Sequence, residues 1–288
     1  MMRSMLFVPG DRPERFAKAL ASGADAVIFD LEDAVTGATR PQARLDVAHC
    51  LRTIERRRPL WVRINPVQGD DALADLTLIA QARPDGVVLP KARNGADLQC
   101  LDHWLEALEA QHGQPRGSIK AIALVTETAG AVLNAATFAA PPGRVVGYSW
   151  GGEDLAADVG ASANRTPDGE FEFTYRLARS TCLLMAAAAG IAAFDTTDTE
   201  FRDTHAVERR AQSARRDGFS GKLAIHPAQI APIHAAFTPS DEEVRWARRV
   251  IELMSTAQGP GAVALDGRMI DRPHLRQAER ILAALERS

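Results

Sequence analysis

Residues 25–35 read DAVIFDLEDAV. Val27, Ile28 and Phe29 run on without a polar break, and Asp30, Glu32 and Asp33 follow at once. An apolar run this short and continuous suits a strand buried on both faces, as in a parallel sheet covered by helices. The acids then stand where the strand ends. The same form recurs in SMLFVPG (4–10), LWVRIN (60–65), GVVLPK (86–91), IKAIALVTET (119–128), RVVGYSWGG (144–152), GIAAFDT (190–196) and KLAIHP (222–227). Amphipathic stretches such as PERFAKALASG and ADLQCLDHWLEALEAQ separate the runs. Eight such units predict an α/β fold of the (β/α)8 TIM-barrel type in place of an open doubly wound sheet.

Punctuation supports this rhythm. Arg40-Pro41 places proline in the first turn of a helix, and Asp11-x-x-Glu14 around Pro13 reads as a capping arrangement. No GxGxxG follows the first strand, which argues against a dinucleotide site. After residue 238 the pattern changes to a helix (TPSDEEVRWARRVIELMSTAQ), a Gly-rich loop with a short β-like AVALDGRMI, and a last helix (RQAERILAALERS). The expected organisation is a barrel over 1–238. A C-terminal helical and loop extension over 239–288 would act as a lid on the barrel or on a neighbouring subunit.

The 288 residues carry a net charge of −3, which gives no electrostatic case for nucleic acid or an anionic membrane. The densest basic run, IERRRPL (54–60), reads as the cationic end of a helix before Pro59. Cys50, Cys100 and Cys182 are widely spaced, with no CxxC, so neither a disulfide framework nor a zinc site is expected. With no secretory h-region and no apolar run long enough to span a bilayer, the expected location is the cytoplasm.

Barrel active sites form at the C-terminal ends of the strands. There the eight runs place Pro9 and Gly10; Asp30, Glu32 and Asp33; Arg63 and Asn65; Lys91; Glu127; Glu153 and Asp154; Asp195; and His226. Singly, each has a plainer reading: Asp30, Asp33, Glu127 or Asp154 as a helix cap, Arg63 as a structural ion pair, His226 as a packed imidazole. Together they gather acids on one rim. Crowded carboxylates raise one another's pKa values unless a cation intervenes. Oxygen ligands without His or Cys point to Mg²⁺, with Mn²⁺ as an alternative, and not to zinc. Magnesium takes one or two protein carboxylates, a role that suits Glu127 and Asp154 on adjacent strands.

RSMLFVPGDRPERFAKA, DAVIFDLEDAV, VRIN, GVVLPKA, ETAGAVLN, GGEDLAADVG, AIHPAQI and DGRMIDRPH occur in order between Arg3 and Pro273. In these motifs the chain resembles the citrate lyase β-subunit-like acyl-CoA lyases of the phosphoenolpyruvate/pyruvate-type barrel superfamily. The resemblance implies Mg²⁺-dependent cleavage or formation of a 3-hydroxyacyl-CoA such as citryl-CoA, malyl-CoA or citramalyl-CoA. The products would be an acyl-CoA and a 2-oxo acid. It implies Glu127 and Asp154 as metal ligands, Arg63 as the grip on the oxo acid's carboxylate, and Asp271 as the proton-transfer residue. It places Pro9, Gly10, Arg12 and Arg15 near the CoA phosphates and implies a homotrimer or hexamer. Lys91 is expected to pair with Glu32 or Asp33; together with His226 it completes the substrate-binding set, and Asp30, Glu32, Asp33 and Glu153 support it. Two alternatives stay open: a malyl-CoA thioesterase, and the β subunit of a citrate lyase complex whose substrate rides on an acyl carrier protein.

Overall fold

The eight apolar runs become eight strands: β1 (Ser4–Pro9), β2 (Ala26–Asp30), β3 (Leu60–Arg63), β4 (Gly86–Leu89), β5 (Lys120–Leu124), β6 (Val145–Ser149), β7 (Ala192–Asp195) and β8 (Gly221–Ala224). The structure is a computed structural model that describes residues 2–256 and 263–285. Neighbouring strands pair in parallel in chain order, and β8 returns to β1 to close the barrel. Helices α1 (Phe16–Leu20), α2 (Arg40–Thr53), α3 (Asp71–Gln81), α4 (Gly95–Gln111) and α5 (Ala129–Leu133) follow the first five strands. Helices α6 (Gly152–Asp158) and α7 (Phe173–Ala189) both follow β6; α8 (Thr204–Asp217) and α9 (Ile230–Phe237) complete the outer layer.

Side chains alternate across a strand, so both halves of each run find an apolar home. Met5, Ile28, Trp61, Val88, Ile122, Leu124, Phe194 and Leu223 fill the barrel interior. Their neighbours, among them Leu6, Val27, Phe29, Val62 and Val87, face Val47, Leu76 and Leu101 of the outer helices. That double burial is why the strands read as unbroken apolar runs.

Two local expectations are corrected. Asp11 does not cap a helix: the turn Pro13–Arg15 starts from Arg12 with no side-chain cap, and Asp11 accepts from the Thr39 hydroxyl at 3.1 Å. Arg56–Arg58 lie beyond the end of α2; Arg56 donates to the Leu51 and Ala82 carbonyls and Arg58 to that of Ala24. Arg56 thus still serves the end of α2 through the Leu51 carbonyl, Arg58 a loop carbonyl, and Arg57 pairs with Glu55.

Beyond the barrel come α10 (Asp241–Thr256), an antiparallel hairpin of β9 (Val263–Leu265) and β10 (Arg268–Ile270), and α11 (Arg272–Leu285). The expected Gly259–Gly261 loop and the last three residues lie outside the described residues. This C-terminal unit has its own small core of Ala247, Val250, Ile270 and Ala278. It meets the barrel at its N-terminal end: Arg215 near the end of α8 pairs with Glu243 at 2.8 Å. There Gln277 and Ile281 of α11 share a hollow with Met2, Gly218 and Phe219.

The outer layer holds a fully buried ion pair. Arg144 donates to Glu109 at 2.8 Å, to Asp102 at 2.5 Å and to the Ile119 carbonyl at 2.9 Å, while Glu109 is 0% exposed. Arg144→Met leaves Glu109 buried and without its cation, and is expected to cost roughly 3–5 kcal/mol. Urea unfolding of the two proteins, with the midpoints and slopes compared, measures it.

Candidate active site

At the C-terminal rim the loop after β2 turns sharply, because Asp30 accepts the backbone N–H groups of Glu32 (3.0 Å) and Ala34 (3.3 Å). The same carboxylate receives Arg63 from β3 as a two-pronged pair, Nε to Oδ1 at 2.7 Å and Nη2 to Oδ2 at 2.6 Å. Arg63 lies over the Phe7 ring, 4.8 Å from its centroid. Its Nη1 is 3.1 Å from Glu32 Oε2, near enough for charge pairing though not aligned as a hydrogen bond. That leaves one side of the guanidinium without a committed acceptor among the described residues.

Lys91 adopts φ 51, a left-handed conformation that costs an L residue on the order of 1–3 kcal/mol. The geometry obtained explains it. Its backbone N–H donates to Glu127 Oε2 at 2.6 Å. Its ammonium reaches Glu32 and also Asp33 and Asp154, each of the latter at 3.1 Å. The expected pairing with Glu32 and Asp33 is therefore present, and Asp154 joins it.

The plainer readings of the two acids do not hold. Thr128, and not Glu127, caps α5, accepting from Ala131 at 3.1 Å, and Asp158 takes the Ala129 N–H at 2.7 Å. Gly151, and not Asp154, is the N-cap of α6, with Glu153 and Asp154 in the first turn. Both acids are thus free of capping work. Glu127 is 2% exposed, and its pKa is pushed well above the usual carboxylate range by burial and then by the charge of Asp154. Gly151 makes room for it: a Cβ there would stand 2.5 Å from Glu127 Oε1.

Around this pair the charges are tightly coupled. Burial pushes Glu32 up to about 7 against the pull of Arg63 and Lys91. Asp33 resists the same effect because Arg63 and Lys91 outweigh it, and its pKa falls. Arg63 and Lys91 are both held more firmly protonated: their acidic partners outweigh burial, which by itself would lower them. No group of three or more His, Cys, Asp or Glu that could hold a metal ion converges among the described residues. A buried, uncapped carboxylate with an acidic neighbour and room beside one oxygen does fit a hard cation that keeps water or substrate in its other positions.

Other expected site residues stand differently. Arg12 and Arg15 are exposed on the β1–α1 loop, beside half-buried Pro9. Gly10 is a packing residue: its N–H is spent on the Asp30 carbonyl at 2.8 Å, and a Cβ would lie 2.7 Å from that oxygen. It is not available to a phosphate. His226 caps the Pro227–Gln229 turn, its Nδ1 accepting from Ala228 at 3.1 Å, and stacks on Phe201 at 4.4 Å. Glu153 is exposed. Asp195 belongs to a buried network with Trp150, Arg179 and Lys222. Asp271 pairs with His274 at 2.6 Å within the C-terminal unit and is not brought to this rim. Two side chains passed over in the sequence lie just past the ends of β5 and β8. Thr126 has a buried hydroxyl without a partner, and Ile225 is 41% exposed at the end of β8. The parity of their strands was the available signal.

Two hollows of about 820 and 1060 Å³ open at the opposite, N-terminal end of the barrel. Neither is lined by Glu127, Asp154, Arg63 or Lys91, so volume does not locate this chemistry.

A closed (β/α)8 barrel with acids, an arginine and a lysine gathered on its C-terminal rim defines an enzyme of the TIM-barrel lyase class. The chain belongs to the HpcH/HpaI aldolase/citrate lyase family, whose model matches residues 3–227; a model for a C–C bond lyase of the TIM-barrel fold matches 183–286. It is 40% identical to a citrate lyase subunit beta-like protein of Mycobacterium tuberculosis (strain CDC 1551 / Oshkosh), over 96% of this chain and 93% of that one. It is 33% identical to a (3S)-malyl-CoA thioesterase of Cereibacter sphaeroides (strain ATCC 17029 / ATH 2.4.9), over 99% and 94%. Among solved structures, M. tuberculosis CitE in complex with magnesium, acetoacetate and coenzyme A superposes with a TM-score of 0.83 at 38% identity, covering 99% of this chain and 98% of that one. A citrate lyase beta subunit from the same organism, complexed with oxaloacetate and magnesium, gives 0.71 at 38% identity over 82% and 97%.

Two outcomes follow from this geometry. Gly151→Ala forces a methyl against the buried Glu127 carboxylate and is expected to cost roughly 1–3 kcal/mol, which urea unfolding of the two proteins measures. In the metal-free protein, Glu32 binds its proton more tightly folded than unfolded. Its share of the stability is therefore full below about 4.5 and lost as pH rises through about 7, roughly 3 kcal/mol in all. Unfolding curves from pH 4.5 to 8 should slope less steeply downward for Glu32→Gln.

Proposed function

We propose that the chain is a Mg²⁺-dependent carbon–carbon lyase that cleaves or forms a 3-hydroxyacyl-CoA, exchanging it with an acyl-CoA and a 2-oxo acid. The observation that carries this reading is Glu127: a buried carboxylate with no capping role, set beside Asp154 and held by the N–H of strained Lys91. Glu127 and Asp154 would hold the metal, which when bound lowers the pKa of a substrate hydroxyl and neutralises charge on the adjoining oxygens.

The remaining work falls to this chain's own groups. Arg63 would offer its Nη1 side, charge-paired with Glu32 but not hydrogen-bonded to it, to the carboxylate of the 2-oxo acid, a planar match that lysine does not provide. Asp30 and Phe7 fix the guanidinium from two sides. Lys91 offsets the negative charge of Glu32, Asp33 and Asp154 without acting as a nucleophile, because the thioester itself makes the departing carbon a tolerable enolate. Arg12 and Arg15, both exposed, are assigned to the CoA phosphates.

Asp271 is assigned the proton transfer to and from the acyl carbon. It sits in a unit docked on the N-terminal end of its own barrel, so it would serve the rim of a neighbouring copy in a homotrimer or hexamer. The boundary near residue 238, with a separate core beyond it, suits such a lid.

The likeness to a malyl-CoA thioesterase supports a second outcome at the same rim, hydrolysis of the thioester. Product analysis separates the two: acyl-CoA plus a 2-oxo acid for the lyase, free CoA plus an intact hydroxy acid for the thioesterase. Activity only on an acyl-carrier-protein thioester would indicate a subunit of a larger complex.

Glu127→Gln and Asp154→Asn should each remove Mg²⁺ binding and Mg²⁺-dependent cleavage; unaltered metal titrations would overturn the assignment. Asp271→Asn should lower kcat by about 10²–10⁴-fold, the usual contribution of a general acid–base, while Mg²⁺ affinity is kept.

A further inference from the structure

We infer that the hollow of about 820 Å³ at the N-terminal mouth of the barrel binds an organic anion, its charged oxygens held by Arg83 and Lys120 and its apolar body set against Trp61. The hollow shares no lining residue with the acids and bases of the C-terminal rim, so the inference stands apart from the lyase reading.

Strand register sets the floor. Trp61 of β3 pairs with Gly86 of β4, and Gly86 with Lys120 of β5, so the three stand side by side at the start of their strands. Trp61 belongs to the interior cluster with Val88 and Ile122, and alternation along β4 and β5 gives Gly86 and Lys120 the same inward parity. Gly86 gives the indole its room, because a Cβ there would clash with the Trp61 ring. That ring is 3% exposed, and its buried N–H has no acceptor among the described residues. A buried donor left unpaired is rare in a folded protein. Met2, Pro84 and Val146 add apolar wall around it.

Charge decides what such a hollow takes. Its two acids are already engaged. Asp25 accepts from the Arg3 backbone N–H at 2.7 Å and from its guanidinium at 3.1 and 3.0 Å. Asp85 accepts the Leu60 N–H at 2.8 Å and faces Arg56 at 3.7 Å. Arg83 and Lys120 remain, both exposed, and neither side chain has a partner among the described residues. They bring two unbalanced positive charges to one concave surface of a chain whose net charge is −3. Cations beside an aromatic and apolar floor match an anion that carries an apolar body.

The backbone singles out Arg83 as well. α3 ends at Gln81, and Arg83 follows at φ 55, donating its N–H to the Ala80 carbonyl at 3.0 Å. That left-handed place after a helix is usually held by glycine, which adopts it without steric cost. Glycine would end α3 better, so the turn does not account for the arginine side chain. The N-terminal face of a barrel ordinarily serves stability. A plug built for stability needs the indole and neither cation.

The test follows the indole itself. The chain has four tryptophans, Trp61, Trp104, Trp150 and Trp246, so the full chain labelled with ¹⁵N-tryptophan gives one indole N–H resonance for each, and Trp61→Phe identifies the first. Phenyl phosphate and phenylacetate are titrated as anionic probes and benzyl alcohol as a neutral one, all in EDTA. At least one anion should shift the Trp61 resonance to saturation while the other three stay in place, and benzyl alcohol should bind at least about tenfold more weakly. A response to phenyl phosphate alone marks a phosphate site, to phenylacetate alone a carboxylate site, and either supports the inference. Arg83→Gly and Lys120→Gln should each weaken the anion about fivefold or more. Arg83→Gly should also keep or raise the urea midpoint, which separates lost binding from lost folding. Neither anion moving the Trp61 resonance, benzyl alcohol binding as tightly as the anions, or both substitutions leaving affinity unchanged would overturn the inference. A shift at Trp150 without one at Trp61 would place the probe at the other mouth and overturn it equally.

Discussion

Desolvation of Glu127 is the constraint on which the rest of the rim depends. A carboxylate that is 2% exposed, beside a second acid, is unfavourable as an anion unless positive charge comes to it. Among the described residues its hydrogen-bond donor is a backbone N–H, from Lys91, and the charge of Arg63 adds a smaller pull. Elsewhere it treats buried acids differently. Glu109 is met by Arg144 and two backbone N–H groups, and Asp75 by Arg44 and by the amide and side chain of Asn65. Those acids are completed by the protein itself. Glu127 is not, and that contrast separates a structural carboxylate from one that fits an incoming cation.

The strain at Lys91 belongs to the same economy of charge. Left-handed backbone at a lysine, immediately after Pro90, persists only where the surroundings determine it. Here one residue aims its N–H at Glu127 and sends its ammonium back to Glu32, Asp33 and Asp154. β2, β4, β5 and β6 are thereby joined across the rim through a single position. Arg63 performs the matching task between β2 and β3. Two cations thus hold a group of acids close enough to raise one another's pKa values without driving the loops apart.

How much of this was legible depends on which force decides each feature. The barrel was readable because both faces of each strand are buried, so DAVIFDLED and its counterparts carry no polar alternation, and the prolines and acids mark where the runs stop. The pairing of Lys91 with Glu32 and Asp33 was readable from charge and rim position. Caps were harder, since several neighbouring residues compete for one N–H. Thr128 took the place open to Glu127, and Asp11 was drawn off to Thr39. Gly10 looked like an opening for phosphate but is a point of close packing against β2. No spacing in the sequence reports the register that sets Met5 opposite Leu223 and Leu6 opposite Ala224; that comes only from closure of β8 onto β1.

Closure also explains why the C-terminal unit is built apart from the rim. A barrel whose eight strands pair in a ring has no free edge, so later elements can add only to its ends or its outer helices. α10, the β9–β10 hairpin and α11 bury Ala247, Val250, Ile270 and Ala278 among themselves and fasten to the barrel through Arg215 and Glu243. Their stability therefore does not depend on contact with the carboxylates at the other mouth. On the proposed role, a unit with its own small core would bring Asp271 to a neighbouring rim without disturbing the ion pairs that organise it. Built into the rim, the same aspartate would add one more negative charge to a group in which burial already holds Glu32 near neutrality. Where it stands, Asp271 is paired with His274 and adds nothing to that group.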